Sequence, residues 1–267
     1  EDVGYFSRTF KRRVGVSPQY YAMTMCQRIA VLNPAFWGNL IALGVPASCL
    51  IPLWDAADQK LPYQGSGTHR FDLASLARQK PQLIVGTKFN QKLFEQLVDI
   101  APTSFIDFKA TNWKGHLLAL AEILGVTEVA KQWLNLYEAR LLVANHKIIK
   151  RLRYETVLAA RISEEGNVRV FGSNRRKIGT FLYQDLQLNA PEAAKGFVFT
   201  DMKQIEELND FQADHVLLFH EGGASKRQTV FLKGQVHHSG IYPWFHYSAL
   251  GHEQALKEAL VHFGESV

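Results

Sequence analysis

The chain has 267 residues and a formal net charge of +5. Its hydrophobic content of 47% is normal for a globular protein that buries a large core, and its length predicts two lobes. No run of about 18 uncharged apolar residues occurs, which excludes a membrane-spanning helix of the usual kind, and the charged, aromatic start lacks an export-signal pattern. Cys26 and Cys49 are too few for a disulfide framework and are expected to be reduced thiols, so the sequence predicts a soluble, cytoplasmic protein.

The first 28 residues carry a net charge of +3 and predict two short helices. Val3, Phe6 and Phe10 recur at helical spacing among basic residues, which predicts an amphipathic helix that stops at Gly15. Ser17 followed by proline is a typical helix start, so a second helix is expected after it.

From residue 28 to residue 126, short apolar runs alternate with helical patterns. This alternation is typical of a parallel sheet that helices cover on both faces. The predicted strands are 29–32, 48–53, 83–85 and 104–106, and the predicted helices include 73–78, 91–98 and 113–124.

A helix without glycine or proline is predicted from residue 127 to residue 151, after Gly125 ends the preceding helix. It would span on the order of 37 Å, which is long for a helix inside one lobe. The alternation then resumes in a segment of net charge −2, residues 152–267. Its predicted strands are 156–160, 168–171, 197–199 and 215–219, with a hairpin at 164–167, and its predicted helices are 178–186, 202–208 and 253–263. The expected fold is α/β, with two lobes joined by one long helix.

Residues 4–21 resemble the closing signature of AraC-type transcriptional regulators, roughly Y-F-S-R-x-F-K-x-x-x-G-x-S-P-x-x-Y. The match covers only the end of that family's DNA-binding domain, so it implies a fragment of a longer regulator in which residues 1–27 are a remnant of the helix-turn-helix domain. The resemblance implies DNA, and also RNA polymerase, as partners of the intact regulator. The residues that would face DNA are Tyr5, Ser7, Arg8 and Lys11. One helix alone is not enough to bind stably in a DNA groove, so we expect negligible specific DNA binding by this fragment.

From Arg28 onward the chain resembles the helical-backbone (class III) substrate-binding proteins, which deliver iron-siderophores, haem-like compounds or cobalamin to importers. The motifs that carry the resemblance are Leu43-Gly-Val45, Lys80-Pro-Gln-Leu-Ile-Val85, Ile100-Ala-Pro-Thr103, Leu124-Gly-Val126, Leu182-Tyr183 and Pro243-Trp244. It implies two Rossmann-like lobes, residues 28–126 and 152–267, and a connecting helix, residues 127–151. Taken with the AraC-type signature, it implies the siderophore-sensing module of a regulator of iron uptake.

A ferric siderophore is bulky, and its iron is held by the siderophore itself. The protein therefore needs positive charge and aromatic surface in the cleft between its lobes, with no metal ligands and no further cofactor. Lys88, Lys109 and Arg161 follow or close predicted strands, at the sheet edge where such folds bind ligands. The remaining candidates are Arg175 and Arg176, in a cationic run that faces the cleft in the resembled family, Trp37 and Tyr63, in the loops after the first and second strands, and His220, directly after the strand 215–219.

Each candidate also has a plainer interpretation. The cationic run can be a solvated turn, the lysines ordinary surface residues, Arg161 a structural ion pair and the aromatic residues part of the core. Haem and cobalamin remain alternative ligands, and the lobes can instead form a ligand-free interaction or dimerisation module. The chain has no paired-histidine metal motif, no Walker A loop and no G-x-S-x-G elbow, so an enzyme is not expected.

Overall fold

The computed structural model describes residues 2–53, 72–174, 178–222 and 232–264. The chain forms two compact units. The first comprises Glu1–Tyr137 with His246–Leu250, and the second comprises Glu138–Phe245 with Gly251–Val267. A short segment near the end of the chain therefore belongs to the first unit.

The chain begins with two short helices whose ends follow the predicted signals. Helix α1 spans Val3–Val14 and ends at Gly15, which takes a left-handed φ of 89° and donates its backbone N–H to the Lys11 carbonyl. A residue without a side chain adopts this conformation at little cost, so the predicted stop is confirmed. Helix α2 spans Pro18–Met25, and the side chain of Ser17 caps its start.

The first unit contains a four-stranded parallel sheet. Its strands are β1 Ile29–Val31, β2 Leu50–Pro52, β3 Leu83–Thr87 and β4 Thr103–Ile106, in the spatial order β2-β1-β3-β4. Strands β1 and β3 are buried at every position, as expected for strands that helices cover on both faces. The predicted parallel sheet is confirmed.

The helices of the first unit are α3 Pro34–Ala42, α4 Leu73–Arg78, α5 Phe94–Val98 and α6 Trp113–Ile123. Residues 73–78 match the prediction. The helix predicted over 91–98 begins instead as 3₁₀ turns over Lys88–Leu93, directly after β3.

The predicted long helix is confirmed. Helix α7 runs over 26 residues, Thr127–Leu152, beginning in the first unit and ending in the second. Its buried residues Tyr137, Ala144 and Ile148 recur at helical spacing, which fixes the face that packs inward.

The second unit contains a five-stranded mixed sheet. Its strands are β5 Val157–Ile162, β6 Val168–Phe171, β7 Phe199–Met202, β8 His215–His220 and β9 Gln235–Gly240, in the order β7-β6-β5-β8-β9. Strands β5, β8 and β9 are parallel, whereas β6 and β7 are antiparallel to their neighbours. The predicted hairpin between β5 and β6 is thus confirmed. Strand β9 was not predicted, because its residues are mostly polar.

Two further elements of the second unit differ from the prediction. The helix predicted over 202–208 is a 3₁₀ helix over Ile205–Phe211, and the strand predicted over 197–199 lies at Phe199–Met202. Ile205, Leu208 and Phe211 are buried three residues apart, which is the period of a 3₁₀ helix. The final helix, α8, spans Ala249–Phe263.

Candidate ligand-binding residues at the strand ends

Lys88 and Asp107 form an ion pair at the carboxyl edge of the first sheet. Each is the first residue after its strand, β3 or β4, and these strands are parallel neighbours. Lys88 Nζ donates to Asp107 Oδ2 at 3.0 Å, and the two side chains are 62% and 39% exposed. The Lys88 hydrogen bond, followed by the Lys109 backbone N–H, lowers the pKa of Asp107 below its usual value. The edge therefore carries an accessible cation beside a stable carboxylate.

Lys109 and Phe89 complete this edge. The Lys109 backbone N–H donates to Asp107 Oδ1 at 3.1 Å, and its Nζ lies 5.2 Å from the centre of the Phe89 ring. The Phe89 side chain is 53% exposed, although its size favours burial. Phe89 was not among the predicted site residues, although its position directly after Lys88 could have identified it as a candidate. Two cations and one exposed ring thus lie together, a combination that suits an aromatic or oxygen-rich ligand.

The predicted position of Trp37 in a loop is wrong. Asn33 caps the next helix by accepting from the Ala35 backbone N–H at 2.9 Å, so Pro34 begins α3 at once. Trp37 is a half-buried residue of this helix, and its neighbour Phe36 is a core residue.

Arg161 lies inside β5, which continues two residues further than predicted. Its side chain is 14% exposed, and its Nε lies 3.9 Å from Glu221 Oε2. That separation is too long for a hydrogen bond, so the two groups are charged neighbours without a fixed bond. Glu221 is the first residue after β8, the parallel neighbour of β5. This arrangement resembles the Lys88–Asp107 pair of the first unit.

Arg169 forms the structural ion pair of this sheet. It lies opposite Arg161 on β6 and donates from Nε and Nη2 to the two carboxylate oxygens of Asp201, at 2.6 and 2.8 Å. Its guanidinium also lies 4.3 Å from the centre of the Phe199 ring. The bidentate bond lowers the pKa of Asp201.

His220 ends β8 at the same edge, next to Glu221. Its Nε2 lies 2.8 Å from Nδ1 of His238, so one imidazole donates to the other. His237 and His238 belong to strand β9.

The other predicted residues divide into two groups. Tyr63, Arg175 and Arg176 lie outside the described residues. All four candidates for DNA contact lie on α1, a helix that has no buried residue: Tyr5, Ser7, Arg8 and Lys11.

A groove of about 710 Å³ lies at the opposite, amino-terminal edge of β8 and β9. Its lining is mainly polar and includes Glu155, Asp210, Asp214, His215 and Lys233. A binding site for a drug-sized organic ligand is usually apolar with a few polar groups, so this groove does not match the expected ligand.

Two features are absent from the described residues. No group of three or more His, Cys, Asp or Glu residues is arranged there to hold a metal ion. No helix in the described part of the chain combines the length and apolar character needed to cross a membrane.

Comparison with known proteins shows what the chain is similar to. No family model matches it. It is 26% identical over 148 residues to the iron-uptake system-binding protein of Bacillus subtilis, covering 55% of this chain and 46% of that protein. It is 29% identical over 151 residues to the probable siderophore-binding lipoprotein YfiY of the same organism, covering 53% and 46%.

A third relative is a transcriptional regulator. The chain is 23% identical over 290 aligned positions to the HTH-type transcriptional activator Btr of Bacillus subtilis, covering 97% of this chain and 53% of that protein. The chain thus spans about half the length of these curated relatives.

Solved structures establish the fold. A FhuD fold-family periplasmic binding protein of a ferrichrome ABC transporter from Bacillus subtilis matches with a TM-score of 0.71 at 19% identity, over 90% of this chain and 98% of that one. FhuD2 from Staphylococcus aureus with bound ferrioxamine B matches with a TM-score of 0.65 at 19% identity, over 90% and 100%. The chain has the FhuD-type, class III periplasmic binding protein fold, as the sequence predicts.

The expected cytoplasmic location is wrong. Two of the similar proteins, YfiY and the FhuD fold-family protein, are named as a lipoprotein and as a periplasmic component of a transporter, and these two names indicate a location outside the cytoplasm. The similar proteins described above are binding proteins or an activator by name, which agrees with the expectation that the chain is not an enzyme.

Proposed function

We propose that this chain binds a ferric siderophore at the carboxyl edges of its two sheets. The observation that carries the proposal is the group of two lysines and one exposed ring at the edge of the first sheet, Lys88, Lys109 and Phe89. The fold of this chain is shared with proteins whose names or ligands refer to siderophores, and one of these structures contains bound ferrioxamine B.

The chemistry of these residues suits such a ligand. The oxygens that hold ferric iron in a siderophore carry negative charge, and lysine and arginine donate hydrogen bonds to them without competing for the metal. In the first unit, Lys88 and Lys109 provide this charge. In the second, Arg161 provides it, beside His220. The proposed site also includes Trp37, Tyr63, Arg175 and Arg176, on the grounds given by the sequence.

Titration with a panel of ligands tests the proposal. Ferric catecholate, ferric hydroxamate, ferric citrate, haem and cobalamin are each added while quenching of tryptophan fluorescence is followed. We expect saturable quenching by at least one ferric siderophore at micromolar concentration or below, and weaker binding of haem and cobalamin. Binding of haem or cobalamin alone would assign a different ligand. No binding at all would favour a module for protein contacts or dimerisation.

We propose further that the binding module is the sensory part of an AraC-type activator of iron-uptake genes. The specific support is the signature in residues 4–21, together with the similarity to an HTH-type activator over 97% of the chain. On this proposal, residues 1–27 end the DNA-binding domain, and residues 28–126 and 152–267 bind the ligand on either side of the connecting helix, residues 127–151.

Footprinting tests this second proposal. The protein expressed from its own gene is bound to the promoters of neighbouring iron-uptake genes, with and without the ferric siderophore that binds best. We expect protection that depends on the ligand and is lost in an Arg8→Ala, Lys11→Ala double variant. Siderophore binding without any promoter protection would support the binding protein alone.

A further inference from the structure

Two of the candidate cations, Lys88 and Arg161, each lie beside a carboxylate, and the two pairs occupy similar positions in their sheets. Lys88 follows β3, and Asp107 is the first residue after the neighbouring parallel strand β4. Arg161 lies at the end of β5, and Glu221 is the first residue after the neighbouring parallel strand β8. The nearest charged atoms are 3.0 Å apart in the first pair and 3.9 Å apart in the second.

Neither pair has the geometry of an ion pair that stabilises a fold. Lys88 is largely exposed and Asp107 is partly exposed, and exposed pairs contribute little to stability. Arg161 and Glu221 are more buried, but their separation exceeds hydrogen-bond distance. The Arg169–Asp201 pair shows the contrast, because one guanidinium donates to both oxygens of the carboxylate there.

We infer that Asp107 and Glu221 are specificity-determining residues, which limit the negative charge of the ferric siderophore that the site accepts. The inference rests on the proposed function. Any anionic ligand that approaches Lys88 or Arg161 also approaches the adjacent carboxylate, and like charges brought close together weaken binding. A neutral complex experiences no such net repulsion. The carboxylates thus select against ligands of high negative charge.

Asp107 also has a competing role as a positioning group. Its Oδ1 accepts the backbone N–H groups of Lys109 and Ala110, and its Oδ2 holds Lys88. If positioning mattered more than repulsion, removing the charge would weaken binding of every ligand. The two roles therefore predict opposite changes for an anionic ligand.

Two ligands of different charge separate these roles. A ferric tris-catecholate is trianionic, whereas a ferric trihydroxamate such as ferrichrome is neutral. Dissociation constants for both are measured by fluorescence quenching with the parent, Asp107→Asn, Glu221→Gln and the double variant. Asparagine keeps an oxygen for the backbone N–H groups at position 107, so the turn is retained. The matched controls are Glu128→Gln in the first unit and Glu192→Gln in the second, which remove carboxylates paired with Lys131 and Lys195.

We expect each site variant to raise the affinity for the catecholate relative to the hydroxamate by roughly fivefold. The double variant should multiply the two effects, since the carboxylates lie in different units. Higher salt should reduce the change, and the controls should show none.

An unchanged affinity ratio, or an equal loss of affinity for both ligands, would overturn the inference. If the parent binds neither ligand, the proposed function fails first, and this failure is seen before any variant is compared.

Discussion

The two units place similar charge pairs on sheets that differ in strand direction and burial. In the first unit, an all-parallel sheet ends in the Lys88–Asp107 pair, whose lysine is 62% exposed. In the second, a mixed sheet ends in the Arg161–Glu221 pair, whose arginine is 14% exposed. The comparison indicates that charge at the first edge can change without cost to folding, whereas polar groups of the second unit are tied to its core.

The largest expected effect tests whether the two units unfold independently. Phe219 is fully buried in the second unit, with ring centres 5.5 Å from Trp244 and 5.0 Å from Phe245. Phe219→Ala should lower the free energy of unfolding of that unit by about 3–5 kcal/mol, because it leaves a cavity. The matched change in the first unit is Phe36→Ala. Amide hydrogen exchange should show lost protection confined to the mutated unit; equal loss throughout the chain would indicate one cooperative unit instead.

Acid should destabilise the second unit through a histidine cluster. His215 Nε2 lies 2.8 Å from Glu155 Oε2, and His215 Nδ1 lies 3.0 Å from Nε2 of His237. Burial, followed by repulsion from His215, His262, Arg151 and His238, lowers the pKa of His237 to about 4. Burial lowers the pKa of the neighbouring His262, and the charge of Glu258 partly offsets this lowering.

The sign of the pH effect follows from these pKa values. The unfolded chain takes up a proton on His237 near pH 6.5, whereas the folded unit takes it up only near pH 4. Stability should therefore be complete above pH 6.5 and fall by at most about 3 kcal/mol as the pH decreases toward 4.

His237→Gln should flatten this dependence when urea unfolding is followed from pH 7 to pH 4. His116→Gln is the matched change in the first unit, because burial lowers the pKa of that histidine as well. It should leave the pH dependence of the second unit unchanged. An unchanged slope in His237→Gln would contradict the assignment to this cluster.

Arg169→Lys should have a smaller effect, confined to the second unit. Lysine retains the charge but loses the bidentate bond to Asp201 and the planar contact with Phe199. We expect a loss of about 1 kcal/mol in chemical denaturation. No loss would indicate that the second sheet tolerates charge changes as well as the first.

The smallest effect is expected for Asp107→Asn. Because the Lys88–Asp107 pair is exposed, the midpoint of thermal unfolding should not change measurably. A decrease like that of Arg169→Lys would show that the first pair supports the fold, and the contrast between the units would disappear.

Much of the fold was predictable where one local signal dominates. Continuous apolar runs marked β1 and β3, and Gly15 and Gly125 marked helix ends through their left-handed backbone. Strand β9 was missed because Gln235–Gly240 is mostly polar and, among the described strands, pairs only with β8. The position of Trp37 was wrong because Asn33-Pro34 indicates a loop as readily as a helix cap.

The candidate site was predictable only in its cations. Lys88 and Lys109 followed from the rule that ligands bind at the carboxyl ends of parallel strands. Asp107 was missed because a carboxylate is not expected in an anion site. Asp107 nevertheless comes directly after the predicted strand 104–106, and Glu221 lies two residues after the predicted strand 215–219, which is the same kind of signal that identified Lys88. Their pairing with cations depends on which strands are neighbours, and the sequence alone does not specify that order.

The central claim is that cations from both units bind one ferric siderophore, and affinity measurements on two single variants test it most directly. Isothermal calorimetry with the best ligand of the panel would compare the parent with Lys88→Ala and Arg161→Ala, using Lys195→Ala as a control. We predict one ligand per chain, at least roughly tenfold weaker binding in both site variants, and unchanged binding in the control. Parent-like affinity in either site variant would contradict the claim.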